Sequence, residues 1–391
     1  MTIHIYPAQQ FDDAWYKVMD TRPKSSSRLA FNPHVAALPA YNAGMSVGKA
    51  RALSGKQDIA RLGSNENPLG CSPKVLEALA SAAFEPWRYA DPACTELRDV
   101  LARHVNVDAA EIVCGNGSEE MIAAISRAFL PPGSAVLTVV PSFGLHEIEP
   151  LALGATVTKI PMTKELGFDL SALEAELRKA PQIFFISSPW NPVGPALDGA
   201  ALDRLIKASS SSTLFVLDEA YFELMDAGMP DGIKVLRAAG IPHVVLRSFS
   251  KAYGLAGLRV GYAVCSDTEI ARVIAAAKTP FNVNAAAQLG AIAAIGDQAW
   301  MKQAVAEIRA ERDRTRAELA KIGISPAASQ TNFLFFDCGM DASEVAKGLL
   351  ADGIIVKAWR EKGYESYLRA NTGRAAENDR LVASLKRVLG R

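Results

Sequence analysis

Lys251 stands in the stretch SFSKAYGLAGLRVGY (residues 248–262), behind Ser248 and Ser250 and eight positions before Arg259, with Gly254 and Gly257 between the two cations. A solvated surface lysine needs no such setting. A lysine that bonds covalently to an anionic cofactor does, because the amine is the nucleophile and the charge beside it needs room and donors. A flexible glycine-rich loop explains the same stretch taken alone. Three other motifs bear on the choice. In GNGSEE (115–120), Gly115 and Gly117 permit a tight turn, and Ser118 can cap a helix whose first free N–H groups attract an anion such as phosphate. Glu119 and Glu120 repel an anion there unless they point away, and a plain capped helix accounts for the motif equally well. In SSPWNPVG (187–194), Pro189 and Pro192 stiffen a loop and aim Asn191. In LDEAYFEL (217–224), Asp218 closes an apolar strand, where a carboxylate is costly unless it meets a cation or an N–H, and Tyr221 follows three residues later. Capping of the next helix is the plainer reading of Asp218.

These motifs need a scaffold that brings distant loops together. From about residue 74 onward, helical and strand patterns alternate. SPKVLEALASAAF predicts a helix with Ser72 as its cap and Pro73 at its first position. EIVC, SAVLTVV, TVTKIP, QIFFIS, TLFVLDEA and HVVLRSFS are short apolar runs rich in β-branched and aromatic residues, most of them separated by helical stretches. That pattern predicts an α/β fold, a mainly parallel sheet covered by helices on both faces. In such sheets function gathers beyond the carboxyl ends of the strands, where each motif falls. A long charged helix, AVAEIRAERDRTRAELAKIG, ends at Gly323, and NFLFFD, ASEVAKGLLADG, IIVKAW, YLRANTG and ENDRLVASLKRVLG follow as a small α+β unit. The expected organisation is an irregular N-terminal arm (1–60), a large domain (61–285) and a small C-terminal domain (286–391).

Composition narrows the class. A chain of 391 residues is too long for one compact core. Its 42 basic and 42 acidic side chains balance, which gives no electrostatic reason to expect nucleic acid or an anionic membrane as partner. Five scattered cysteines form no C-x-x-C pair, so neither a disulfide framework nor a metal site is expected. The N-terminus lacks the pattern of a signal peptide, and no apolar run approaches the roughly 20 residues that span a bilayer. A cytoplasmic location is therefore expected.

Taken in order, G-N-G-S-E-E, N-P-x-G, D-E-A-Y and S-x-S-K-A-x-G-L-A-G-L-R resemble the pyridoxal phosphate-dependent aminotransferases of fold type I, and within them the histidinol-phosphate aminotransferase group. SNENPLG (64–70), YADPACTELRDVLA (89–102) and YLRANTG (367–373) extend the likeness from about residue 60 to the end. The resemblance implies pyridoxal 5′-phosphate in a Schiff base with Lys251, whose freed amine then moves a proton. It places Asp218 at the pyridine nitrogen, Asn191 and Tyr221 at the phenolic oxygen, and Phe143 of PSFGLHE on the ring face. The phosphate falls to Gly117, Ser118 and Glu119 at the helix start, with Ser248, Ser250 and Arg259. Tyr89 matches a tyrosine that reaches the phosphate of the other subunit, which implies a homodimer with shared active sites. Arg369 matches an arginine for the substrate's anionic group, near Asn191, and Tyr41 in the arm closes over the substrate. The activity so implied, in histidine biosynthesis, moves an amino group between L-histidinol phosphate and 2-oxoglutarate. An aromatic amino acid aminotransferase and a decarboxylase of a phosphorylated amino acid are the alternatives. Two departures bear on the substrate. PWNPVG replaces the P-N-N-P-T-G of many of these enzymes and sets Trp190 beside the site, and Lys357 stands where they carry a second arginine. Lysine binds phosphate as a point charge rather than through a bidentate fork.

Overall fold

The computed structural model describes residues 30–38, 44–81 and 84–391. In chain order its strands are β1 (Ala60–Arg61), β2 (Ile112–Gly115), β3 (Ala135–Val140), β4 (Thr156–Pro161), β5 (Ile183–Ser187), β6 (Leu214–Asp218), β7 (His243–Ser248), β8 (Gly261–Cys265), β9 (Phe333–Asp337), β10 (Ile354–Ile355), β11 (Lys357–Ala358) and β12 (Tyr367–Asn371). Seven of them form one sheet in the order β2–β8–β7–β6–β5–β3–β4, in which β8 pairs antiparallel with both of its neighbours. The β3–β4, β3–β5, β5–β6 and β6–β7 pairs are parallel.

Every residue of β5, β6 and β7 is buried, as strands covered on both faces must be. Their side chains alternate between two cores. Phe184, Ile186, Phe215, Leu217 and Val245 face one, while Ile183, Phe185, Val216, Val244 and Leu246 face the other. The apolar runs of the sequence therefore end where the sheet ends, and the next residue stands at its rim. Strand β8 starts at the end of the glycine-rich stretch after Lys251 and continues to Cys265, where the sequence reading names no strand. Gly261 is needed there for close approach, since a Cβ would fall 2.8 Å from the backbone of Gly117 and Ser118.

A second sheet, β11–β12–β9, is antiparallel, and β1 pairs parallel with β10. IIVKAW, expected as one strand, is thus two dipeptide strands with partners in different sheets, broken at Val356. Leu334, Phe336, Val345, Leu368 and Leu381 form the core of this smaller body, and Ala60 and Leu62 are buried with them. The Ala285–Ile295 helix instead contributes Ala287, Ala291 and Ala294 to the core of the large sheet. Part of the arm is helical: Val47–Ser54 is capped by Ser46, whose side chain accepts from Lys49 N at 3.2 Å. No helix among the described residues is long and apolar enough to cross a membrane. The five cysteines are free thiols, four of them buried.

Candidate active site

A cavity of about 570 Å³ opens at the carboxyl ends of β5, β6 and β7, and its wall also includes residues of β11 and β12. Ser187, Asp218 and Ser248 close the three strands and line it. Lys251 enters just beyond β7. Its Nζ lies 3.5 Å from Ser64 O and 5.6 Å from the centre of the Tyr221 ring. Burial, and then the nearby guanidinium groups of Arg369 and Arg259, lower its pKa to about 8.

Asp218 Oδ1 accepts from Ala220 N at 3.0 Å in a local turn, but it does not cap the next helical turn, Phe222–Leu224, which starts at Tyr221 without a side-chain cap. Its other oxygen lies 3.5 Å from His146 Nε2. His146 is wholly buried, stacks on Phe185 with ring centres 5.3 Å apart, and has no hydrogen-bond partner at either ring nitrogen. Phe143 lines the cavity and meets the His146 ring edge-on at 5.8 Å. Tyr221 Oη accepts from Asn65 Nδ2 at 2.8 Å. Arg369 Nη1 donates to Asn191 Oδ1 at 2.5 Å, and its Nη2 donates to Gly63 O at 2.9 Å.

One end of the cavity is built at the start of the Gly117–Phe129 helix. Gly117 has φ 77°, and a Cβ there would stand 2.9 Å from Arg259 Nη2, so only glycine keeps this corner open. Arg259 Nη2 donates to Asn116 O at 3.2 Å and to Glu119 Oε2 at 2.9 Å. Glu120 points away, accepting from Asn116 N at 2.6 Å and Asn282 Nδ2 at 2.7 Å. Asn116, rather than Ser118, occupies the cap position, because the turn at Gly117 starts the helix earlier; Ser118 sits in the first turn and lines the cavity. Ser248 and Ser250 are buried on the same wall, where Ser248 Oγ accepts from Ser250 N at 3.1 Å.

The opposite wall is cationic. Lys357 and Arg369 are direct cross-strand partners in β11 and β12. Like charges placed this way repel, which suits a site for an anion. Burial, then Arg369 and Arg360, lower the Lys357 pKa to about 8. Trp359 and Glu361 complete this wall.

Two sequence candidates lie elsewhere. Trp190 does not line the cavity: it is fully buried in the core, edge-on to Phe168 at 6.0 Å, and its Nε1 donates to Pro141 O at 2.6 Å. An indole whose N–H finds a buried carbonyl packs inward. Tyr89 is 85% exposed and stands outside the cavity, its ring 4.8 Å from that of Phe281. Tyr41 lies outside the described residues. Asn65, His146, Trp359 and Glu361 belong to the site but do not stand out in the sequence. SNENPLG and PSFGLHE mark the stretches of the first two without marking the residues. Among the described residues no group of three or more His, Cys, Asp or Glu side chains is placed to hold a metal ion.

A buried carboxylate, a lysine of lowered pKa, and a glycine-opened helix start with an arginine form a donor set that fits a phosphorylated pyridine aldehyde. The aminotransferase class I and II model matches residues 57–385, and the chain belongs to that family. It is 41% identical over 355 residues to histidinol-phosphate aminotransferase 1 of Mesorhizobium japonicum, covering 89% of this chain and 95% of that one. Among solved structures, histidinol-phosphate aminotransferase of Sinorhizobium meliloti in complex with pyridoxal-5′-phosphate superposes with a TM-score of 0.85 at 30% identity, covering 93% of this chain and 99% of that one. L-threonine-O-3-phosphate decarboxylase of Porphyromonas gingivalis superposes at 0.74 with 25% identity, over 85% of this chain and 100% of that one.

Proposed function

We propose that the chain is a pyridoxal phosphate-dependent aminotransferase that takes L-histidinol phosphate as amino donor and 2-oxoglutarate as acceptor. The observation that carries this reading is the charge layout of one cavity: Lys251 and buried Asp218 near an anion-ready helix start, with the Lys357–Arg369 pair opposite. The cofactor, when bound, supplies an electron sink for the electrons released at the donor's Cα. Lys251 binds it covalently and, once released, carries the proton to and from that carbon; its lowered pKa keeps much of the amine neutral near pH 8. Asp218 holds the pyridine nitrogen protonated. Asn191 and Tyr221 orient the phenolic oxygen, and Phe143 covers the ring face. Gly117, Ser118, the N–H of Glu119, Ser248, Ser250 and Arg259 would hold the phosphate, and Arg259, now bonded to the Glu119 carboxylate, would turn to it.

Histidinol phosphate has no α-carboxylate and offers a phosphate dianion. Two opposed cations suit a dianion better than the single charge of an amino acid. Arg369 and Lys357 take that phosphate, with Asn191 holding the Arg369 fork. We place two copies together so that Tyr89 of each reaches the phosphate of the other, a homodimer favoured by the exposed Trp87, Tyr89 and Phe281. Free thiols favour a cytoplasmic location. We keep an arm, a large and a small domain, with the Ala285–Ile295 helix assigned to the large one by its packing.

A panel of amino donors offered to the holoenzyme with 2-oxoglutarate tests the reading. Histidinol phosphate is expected to be the fastest at low concentration. Faster turnover of phenylalanine overturns the phosphate assignment, and carbon dioxide release without oxo-acid consumption overturns transamination.

A further inference from the structure

Trp359 lines the cavity on the segment that follows Lys357. Its ring centre lies 5.8 Å from the Arg369 guanidinium, and its ring stands edge-on to Phe335 at 6.0 Å. Its backbone N–H donates to Tyr367 O at 2.9 Å. The indole Nε1 donates to Glu361 Oε2 at 2.6 Å. The same carboxylate oxygen accepts from Ser142 N at 3.1 Å, in the loop that carries Phe143. One oxygen thus ties the substrate wall to the wall of the large body. From the other side, the Trp190 indole holds the carbonyl of Pro141, so the Pro141–Phe143 loop is clamped between a core tryptophan and a rim glutamate.

We propose that Trp359 is a specificity-determining wall of the substrate cavity, selecting amino donors with a flat ring, and that Glu361 is the positioning residue that holds its indole at a fixed spacing from the Phe143 loop. The inference rests on the aminotransferase reading but not on which ring-bearing donor is physiological. A carboxylate oxygen is suited to the role because it accepts two N–H groups at once, and a charged acceptor makes the stronger bonds. An indole left without that acceptor is free to rotate out of the cavity or into it, which blurs the pocket without touching the reacting atoms.

The test uses holoenzyme variants Glu361→Ala, Glu361→Gln and Trp359→Leu. Each is assayed in the donor half-reaction, without oxo acid, with histidinol phosphate, phenylalanine and glutamate, read as loss of the cofactor's absorbance, and each is measured for cofactor dissociation. Glu361→Ala is expected to lower kcat/KM for the better ring donor about tenfold, mainly through KM, the size of a typical pocket contact. Glutamate turnover is expected to fall clearly less than ring-donor turnover, and cofactor dissociation to stay within about twofold. Glu361→Gln, whose amide oxygen still accepts both N–H groups, is expected to restore most of the loss. Trp359→Leu is expected to reproduce the tenfold loss for ring donors alone, which keeps the test decisive if Glu361→Ala fails to fold. Equal losses for ring donors and glutamate, looser cofactor binding in step with KM, or unchanged ring selectivity in Trp359→Leu overturns the proposal. A wild type that prefers phenylalanine overturns the phosphate assignment and leaves the wall to be judged by the same variants.

Discussion

The two ends of the cavity are built differently. The cofactor end takes its residues from the carboxyl ends of strands in one seven-stranded sheet, three of them buried along their whole length. The donor end takes Lys357 from a strand of two residues, Arg369 from its neighbour, and Trp359 and Glu361 from the loop between. Groups at the end of a buried strand are held by the core behind them, whereas groups on a short edge strand are held by a few specific bonds. On the proposed function catalysis belongs to the first end and selectivity to the second, so substitutions at the two ends should separate in kcat and KM.

The largest effect belongs to Lys251→Ala, which on the proposed function removes the nucleophile and the proton carrier together. Turnover is expected to fall roughly a thousandfold or more. Borohydride reduction of the wild-type holoenzyme followed by peptide mapping should label Lys251; label on another lysine sinks the assignment. With a pKa of about 8, the amine becomes neutral as pH rises, so capture of cofactor by the apoenzyme should speed up through pH 8 and then level off.

Asp218→Asn keeps the shape and removes the charge. A lost contact to developing charge costs about 3 kcal/mol, roughly a hundredfold in kcat. Near-normal turnover would mean that another group supports the ring nitrogen.

Lys357→Met moves to the donor end. It should raise the KM for histidinol phosphate by about 1.5–3 kcal/mol, or roughly ten- to a hundredfold, and leave phenylalanine almost unaffected. Burial and the facing Arg369 and Arg360 hold the Lys357 pKa near 8, so the free enzyme loses this charge above that pH. The wild-type KM should therefore climb with pH beyond 8, and the Met variant should lack that climb. A variant that shifts both donors alike would blur the division between the two ends.

Trp190→Phe should do least. It forfeits the bond to Pro141 O, a stability loss of about 1–3 kcal/mol readable in chemical denaturation, while Glu361 still holds the loop through Ser142 N, so the KM for each donor should change little. A change in donor preference would restore to the indole the pocket role that its position beside Asn191 suggests.

Much of this protein is written locally. Continuous apolar runs mark buried strands because both faces of the sheet are covered, and the residue ending each run is at the rim for the same reason. Asp218, Ser248 and Lys251 were legible on that basis, as were the glycines of the helix start, since φ 77° at Gly117 is a backbone property. What the sequence alone left open was direction and distant pairing. Whether Trp190 faces the cavity or the core depends on where the carbonyl of Pro141 falls, 49 residues away. Asn65 meets Tyr221 across 156 residues of chain, and Arg369 meets Asn191 across 178. Lys357 opposes Arg369 only because IIVKAW breaks between two sheets, which no property of those six residues dictates. Local backbone preference and apolar patterning determine the strands, their ends and the turn at the helix start. Side-chain direction and cross-strand register are set by packing between segments far apart in the chain, so only the tertiary structure decided how the donor end is built.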